Sequence, residues 1–266
     1  MSRPVRSAVV TGAAGGIGRA VAARLLADGL AVTLLDLERS AAALAEVEDR
    51  LRTSEEPAGG AAVRSDHVDV TDEASVDRAL QAHAEAFDGV DVVVANAGIA
   101  VTAPLLETTT QQWDTTMAVN VRGVANCYRS GARLMIAQGR GGRLIGAASV
   151  AAHRAGRWQS AYSASKFAVR GLTQAVALEL AEHQVTANCY SPGVVQTPMW
   201  DGIDAALGER TGAERGAPMA AMTSQIALGR LQTPGDVAGV VSFLASEDAA
   251  YVTGQSVVVD GGMWFS

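Results

Sequence analysis

Ser7-Ala8-Val9-Val10-Thr11-Gly12-Ala13-Ala14-Gly15-Gly16-Ile17-Gly18 starts as an apolar run, breaks into glycines and passes straight into an Ala/Leu/Arg helix that stops at Asp28 and Gly29. The run Ser7-Ala8-Val9-Val10 has the look of a buried parallel strand, whose two covered faces demand apolar residues throughout. Glycines let a backbone come close to a ligand, and the free N–H groups at a helix start receive an anion. Strand, turn and helix together therefore predict a phosphate cradle at Gly12, Gly15, Gly16, Ile17 and Gly18. The glycines are spaced by three residues and then one, which departs from G-x-G-x-x-G, so a plain tight turn stands beside the phosphate reading.

The next apolar run, Ala31-Val32-Thr33-Leu34-Leu35, ends in Asp36, eighteen residues after Gly18. An acid at that distance is placed to accept hydrogen bonds from a ribose diol and to repel a 2′-phosphate. Capping the following helix is an equally compatible use of Asp36. Arg39 complicates the cofactor preference, while Leu37 offers no phosphate clamp.

Beyond this unit the pattern repeats. A helix runs to Arg52, a turn follows at residues 55–60, and a strand ends near residues 66–69. Thr71 opens a helix over 72–87, and the strand 90–94 is closed by Ala95-Asn96-Ala97-Gly98. A long helix over 111–138 carries Asn120. A strand ends at Ser149, a helix covers 158–181 and a strand 185–190, and a last helix (234–245) and strand (256–259) complete the chain. Strand and helix alternate without repeats or linkers, which predicts an α/β fold: one Rossmann-like doubly wound parallel sheet of about seven strands, with helices on both faces, spanning 1–266 as a single domain. Residues 193–232 lack clear periodicity and read either as a lid or as an ordered insertion whose apolar residues are helix core.

Composition narrows the function. The 266 residues are 48% apolar and 18% charged, and 21 basic against 28 acidic residues leave a net charge of -7. These values describe a compact globule and give no reason to expect nucleic acid or an anionic membrane as a partner. No apolar stretch suits a signal peptide or a membrane span, so a cytoplasmic protein is expected. Cys127 and Cys189 read as reduced core thiols, and the four histidines show no metal-ligand spacing, so no metal is expected.

Lys166 is the only lysine in a chain whose other twenty basic residues are all arginine. It ends the stretch Tyr162-Ser163-Ala164-Ser165-Lys166, and on a helix Tyr162 and Lys166 share one face a turn apart. A nearby ammonium favours the phenolate, and lowering a tyrosine pKa by two or three units takes about 3 to 4 kcal/mol. The expected product is a proton donor and acceptor poised for alcohol or carbonyl chemistry. Ser149 adds a hydroxyl at a strand end.

On these residues the chain resembles the short-chain dehydrogenase/reductase family: Thr11 to Gly18 is similar to its T-G-x-x-x-G-x-G turn, Asn96-Ala97-Gly98 to its N-A-G segment, and Ser149, Tyr162 and Lys166 to its catalytic set. One departure is Ala95, where an Asn commonly precedes N-A-G. The resemblance implies NAD(H) as cofactor and a small carbonyl or alcohol as substrate. Tyr162 would move the hydroxyl proton, Ser149 bind the carbonyl oxygen, and Lys166 hold the nicotinamide ribose. Asn120 would support a water chain refilling the proton. It further implies that Asp69 and Val70 lie beside the adenine, that Asn96 and Gly98 border the cofactor, and that Pro192, Gly193, Val195 and Thr197 run along the nicotinamide. A homotetramer is implied, packed through the helices 111–138 and 158–181.

Residues 166–174, Thr197-Pro198-Met199-Trp200, Leu228-Gly229-Arg230 and 251–255 look most like the acetoin/diacetyl reductases and 2,3-butanediol dehydrogenases. The substrate pocket is then expected at Ser149, Val150, Gly193, Met199 and Trp200, with (S)-acetoin as product. A reductase of 3-oxoacyl thioesters or of other secondary alcohols, and a nucleotide-sensing scaffold without turnover, are the alternatives.

Overall fold

The computed structural model describes residues 6–53 and 61–265. The turn expected at 55–60 lies outside them. Its centre is a sheet of seven parallel strands in the order β3-β2-β1-β4-β5-β6-β7. These are β1 (Ser7–Thr11), β2 (Ala31–Asp36), β3 (Val63–His67), β4 (Val92–Ala95), β5 (Gly142–Ala147), β6 (Val185–Pro192) and β7 (Ser256–Val259). The order reverses direction between β1 and β4, and a crevice opens there at the carboxyl ends of the strands, where ligands of doubly wound sheets bind.

The continuous apolar runs are explained by cover on both faces. Every residue of β1, β4 and β6 is buried. One face packs on α1 (Gly16–Ala27), α2 (Ala41–Thr53) and α9 (Pro234–Ala245), and the other on α3 (Glu73–Phe87), α5 (Gly123–Gln138) and α6 (Ser160–Leu180). Val92 and Val94 face the first layer and Val93 the second, so each strand feeds two cores by simple alternation. Burying one such valine contributes about 1.5 to 3 kcal/mol.

Local chemistry sets the helix ends, with some departures from expectation. Asp72, not Thr71, caps α3, accepting from Ala74 N at 3.1 Å. Thr71 instead donates its N–H and hydroxyl to Asp69 Oδ1 at 2.9 and 2.7 Å. The helix expected over 111–138 is interrupted: α4 (Thr110–Met117) passes through a π-turn at Ala118–Arg122 before α5. Such turns gather at functional sites because the extra residue redirects a side chain, and the one redirected here includes Asn120, which is fully buried.

The stretch 193–232 holds two helices, α7 (Pro198–Thr211) and α8 (Ala217–Thr223). Its base is pinched by a parallel bridge between Val195 and Gln232. The buried Asp204 of α7 accepts from Gly216 N at 2.7 Å and Met219 N at 2.9 Å, which ties the start of α8 to α7. Arg210 pairs with Glu107 at 2.8 Å and anchors α7 to the loop after β4. Among the described residues no helix is long and apolar enough to cross a membrane.

Candidate active site

A cavity of about 590 Å³ runs along the carboxyl ends of the strands, from Asp36 at one end past Tyr162 to Trp200 and Trp264 at the other. Its first section is the glycine turn. Gly12 has φ of 67°, and a Cβ there would sit 2.9 Å from Asn96 Nδ2. At Gly18 a Cβ would lie 2.1 Å from the Gly12 carbonyl oxygen, so helix α1 touches the turn backbone to backbone and admits no side chain. No side chain caps the start of α1. Its N–H groups thus face a cavity whose floor is glycine, the requirement for receiving a phosphate.

Asp36 stands where β2 ends. Its Oδ2 accepts from Ala14 N at 3.0 Å and its Oδ1 from Leu37 N at 2.8 Å, so it braces the glycine turn. It does not cap the short turn that follows, whose N-cap is Leu37. Both carboxylate oxygens keep a further lone pair for a diol. Leu37, Arg39, Ser40 and Ala43 line the cavity beside it, and Val68, Asp69 and Val70 close the same end.

The middle of the cavity is clamped by Asn96. Its Nδ2 donates to Thr11 O at 2.9 Å, and its Oδ1 accepts from the Tyr190 hydroxyl at 2.8 Å. Asn96 thereby joins β1, β4 and β6 where the sheet order reverses. Tyr190 had no place in the sequence reading, since a tyrosine inside a strand carries no local signal of such a partner.

Ser149, Tyr162 and Lys166 meet on the cavity wall. Ser149 heads a short turn after β5, its Oγ accepting from Ala151 N at 3.1 Å, and its hydroxyl acts on the nearby Tyr162 phenol. The Lys166 Nζ donates to Ala147 O at 2.7 Å and lies 5.5 Å from the centre of the Tyr162 ring. Burial pushes the Lys166 ammonium down to about 8. Burial also raises the Tyr162 phenol above its ordinary value, against the lowering influence of Ser149. This corrects the expectation that the ammonium lowers the phenol. Desolvation dominates at the phenol, while the ammonium donates to the Ala147 carbonyl.

Asn120 does not line the cavity. Its Oδ1 accepts from Ile99 N and its Nδ2 donates to Ile99 O, both at 2.9 Å, and Nδ2 also donates to Ser165 Oγ at 3.0 Å. It therefore ties the loop after β4 to the helix of Lys166. Gly98 sits between the two: a Cβ there would lie 3.4 Å from Asn120 Oδ1 and 3.6 Å from Lys166 Nζ.

Pro192, Gly193, Val195 and Thr197 border the cavity opposite the glycine turn, and a Cβ on Gly16 would reach Thr197 Cγ2 at 2.9 Å. The far end is mainly apolar, lined by Val150, Met199, Trp200, Ile203, Met222 and Met263, with Arg154 and Gln159 as its polar side chains. Met263 and Trp264 come from the chain's last residues, folded inward because Asp260 accepts from Gly262 N and Trp264 N, each at 2.9 Å. Gly261 and Gly262, at φ of 68° and 78°, make that reversal possible. The pair Gly261-Gly262 was the visible signal of a turn, but nothing local to it points toward the cavity.

The chain is similar to known proteins over nearly its whole length. A family model described as enoyl-(acyl carrier protein) reductase matches residues 12–264. The chain is 44% identical to an L-2,3-butanediol dehydrogenase of Corynebacterium glutamicum, over 97% of this chain and 98% of that one. It is 38% identical to a diacetyl reductase [(S)-acetoin forming] of Staphylococcus epidermidis, again over 97% and 98%. Among solved structures, the acetoin dehydrogenase YohF from Salmonella typhimurium superposes with a TM-score of 0.82 at 32% identity, covering 97% of this chain and 96% of the other.

Proposed function

The chain belongs to the short-chain dehydrogenase/reductase family, an oxidoreductase acting on CH–OH groups with a nicotinamide cofactor, and on that footing we propose that it reduces small vicinal diketones and hydroxyketones such as diacetyl and acetoin, using NADH. The observation that carries this reading is the meeting of Ser149 and Tyr162 on the wall of a chamber that Val150, Met199 and Trp200 also line. The three relatives described above bear names from the same chemistry.

The residues divide the work as follows. A substrate carbonyl oxygen is received by Ser149 Oγ and the Tyr162 hydroxyl. The raised phenol keeps its proton at neutral pH, which suits it to donate that proton as the oxygen gains negative charge. Lys166 and Asp36 would hold the ribose hydroxyls and the start of α1 the phosphates of a nicotinamide coenzyme, which would supply the hydride. Asn120 keeps a lone pair of its Oδ1 for a water that returns the proton to Tyr162. The helices α7 and α8 act as a lid within residues 193–232 that keeps water from the reacting carbon. The apolar Val150 beside Ser149 supports (S)-acetoin as product.

Asp36 would repel a 2′-phosphate, so NADH is favoured over NADPH. We further read the single domain as one subunit of a cytoplasmic homotetramer, since Ile136 of α5 and Phe167 and Leu178 of α6 are exposed apolar side chains on the helices expected at the interface. Sedimentation as a monomer at micromolar concentration would remove that reading.

The test of substrate is kcat/KM for diacetyl against an acetoacetyl thioester, with both coenzymes, in wild type and Trp200→Ala. Diacetyl with NADH should win in the wild type, and the variant should admit longer ketones. A wild-type preference for the thioester would overturn the assignment.

A further inference from the structure

The outer end of the cavity holds a cation that the reaction as described does not use. Arg154 follows Ser149 by five residues, and its N–H donates to Val150 O at 3.0 Å, so its side chain leaves the same turn that presents Ser149 and Val150. The guanidinium lines the cavity and lies over the indole of Trp264, with Cζ 5.3 Å from the ring centre. Arg154 is exposed, and contact with an aromatic face restrains a side chain that would otherwise sample water freely.

Among the described residues this guanidinium has no ion-pair or hydrogen-bond partner. Asp260, the acid of the tail that carries Trp264, already accepts from Gly262 N and Trp264 N. The cavity is otherwise lined on this side mainly by apolar side chains, Val150, Met199, Trp200, Ile203, Met222 and Met263, with Gln159 as a neutral polar group. An oxygen that enters this end of the chamber therefore meets Arg154 as its one positively charged donor.

We propose that Arg154 is a specificity-determining residue that receives a second oxygen of the substrate, most strongly a carboxylate, so that the site also reduces small oxo-carboxylates. The proposal rests on the carbonyl-reductase reading above. In the reaction the ketone carbon gains a hydride and its oxygen gains the Tyr162 proton. The ketone is reduced, the nicotinamide coenzyme is oxidised, and the carboxylate passes through unchanged against Arg154. A charged acceptor strengthens a guanidinium bond and permits a bidentate pair, which a neutral ketone or ester oxygen cannot match.

The test is a matched pair, acetoacetate and methyl acetoacetate, which differ in charge at the second oxygen. The ratio of their kcat/KM values should fall roughly tenfold or more in Arg154→Met, through KM for the acid, with the ester little changed. Arg154→Lys should recover part of the ratio. Independently of turnover, sodium acetoacetate should change the tryptophan emission of the wild type saturably, because Trp264 lies under the guanidinium, and should not do so in Arg154→Met. An unchanged acid-to-ester ratio, or an emission response that survives in Arg154→Met, overturns the proposal. A protein that reduces diacetyl with an unchanged ratio keeps its proposed function and loses this role for Arg154. One that turns over neither diacetyl nor the ester, yet responds to acetoacetate through Arg154, loses the function and keeps the site.

Discussion

Replacing Lys166 by methionine should stabilise the protein. Lys166 is 4% exposed, and its ammonium titrates at about 8 against 10.5 in the open chain because burial disfavours the charge. At neutral pH the folded protein must nevertheless carry that charge, and the difference corresponds to about 3 kcal/mol of lost stability. Methionine is similar in length, fills the same space and carries no charge. It forfeits the charge-assisted bond from Nζ to Ala147 O, worth about 1.5 to 2 kcal/mol, so the net gain near pH 7 is about 1 kcal/mol.

The sign of the pH dependence follows from the direction of the shift. Between pH 8 and 10.5 the unfolded chain holds a proton that the folded one has released, so wild-type stability rises with pH through that window and the burial cost disappears. Lys166→Met lacks this gain. Urea unfolding of both proteins near pH 7 and near pH 9.5 reads it, since the buried groups away from Lys166 titrate alike in the two and cancel, and Cys189, whose thiol the ammonium lowers only as the last of several causes, leaves a small difference. The variant's advantage should fall by about 2 kcal/mol between the two conditions, which reverses its sign. A variant less stable than wild type at neutral pH, or an advantage that does not change with pH, would refute the assignment of a buried, strained ammonium. Its turnover should vanish in either case.

Other outcomes follow from single positions. Gly18→Ala should cost about 3 kcal/mol in urea unfolding, because its Cβ would collide with the Gly12 carbonyl, whereas Gly15→Ala, with open space around it, should be near neutral and serves as the control. His83, fully buried between the hydroxyls of Thr33 and Ser7, is held down to about 4 by burial and by Arg64. The unfolded chain protonates near 6.5, so stability should fall as pH drops from 6.5 to 4, by about 2 kcal/mol at pH 5, and His83→Gln should lack that slope. Tyr162→Phe should lose nearly all turnover while NADH still binds, as a fluorescence titration of the coenzyme would read. Failure of the coenzyme to bind would move Tyr162 from proton donor to cofactor support.

Residue order alone determined a good deal. Runs such as Val92-Val93-Val94 have no polar face to offer water, so they had to lie in a sheet covered on both sides, and their alternation with helices left a doubly wound topology as the natural arrangement. The glycine turn, the acid ending β2, and Tyr162 and Lys166 one helical turn apart are all local spacings. Local spacing survives folding because α and β geometry are fixed. The helices α7 and α8 were less legible. Pro198 and Pro218 resemble breakers when read in isolation, yet each begins a helix, where the missing N–H has no partner to lose. The apolar residues of α7 also follow no single stripe, because the helix faces the cavity as well as its own small core.

Tertiary structure alone decided what surrounds those local motifs. Asn96 meets Tyr190, ninety-four residues away, only after β4 and β6 have both joined the sheet. Met263, Trp264 and Arg154 come together only because the buried Asp260 turns the end of the chain inward. The state of the Tyr162 phenol and the Lys166 ammonium belongs to this second class too. Spacing put a cation beside a phenol, but the Ala147 carbonyl and the loss of water at both groups came from distant segments. Desolvation depends on everything within a few ångströms, and no sequence window contains that neighbourhood.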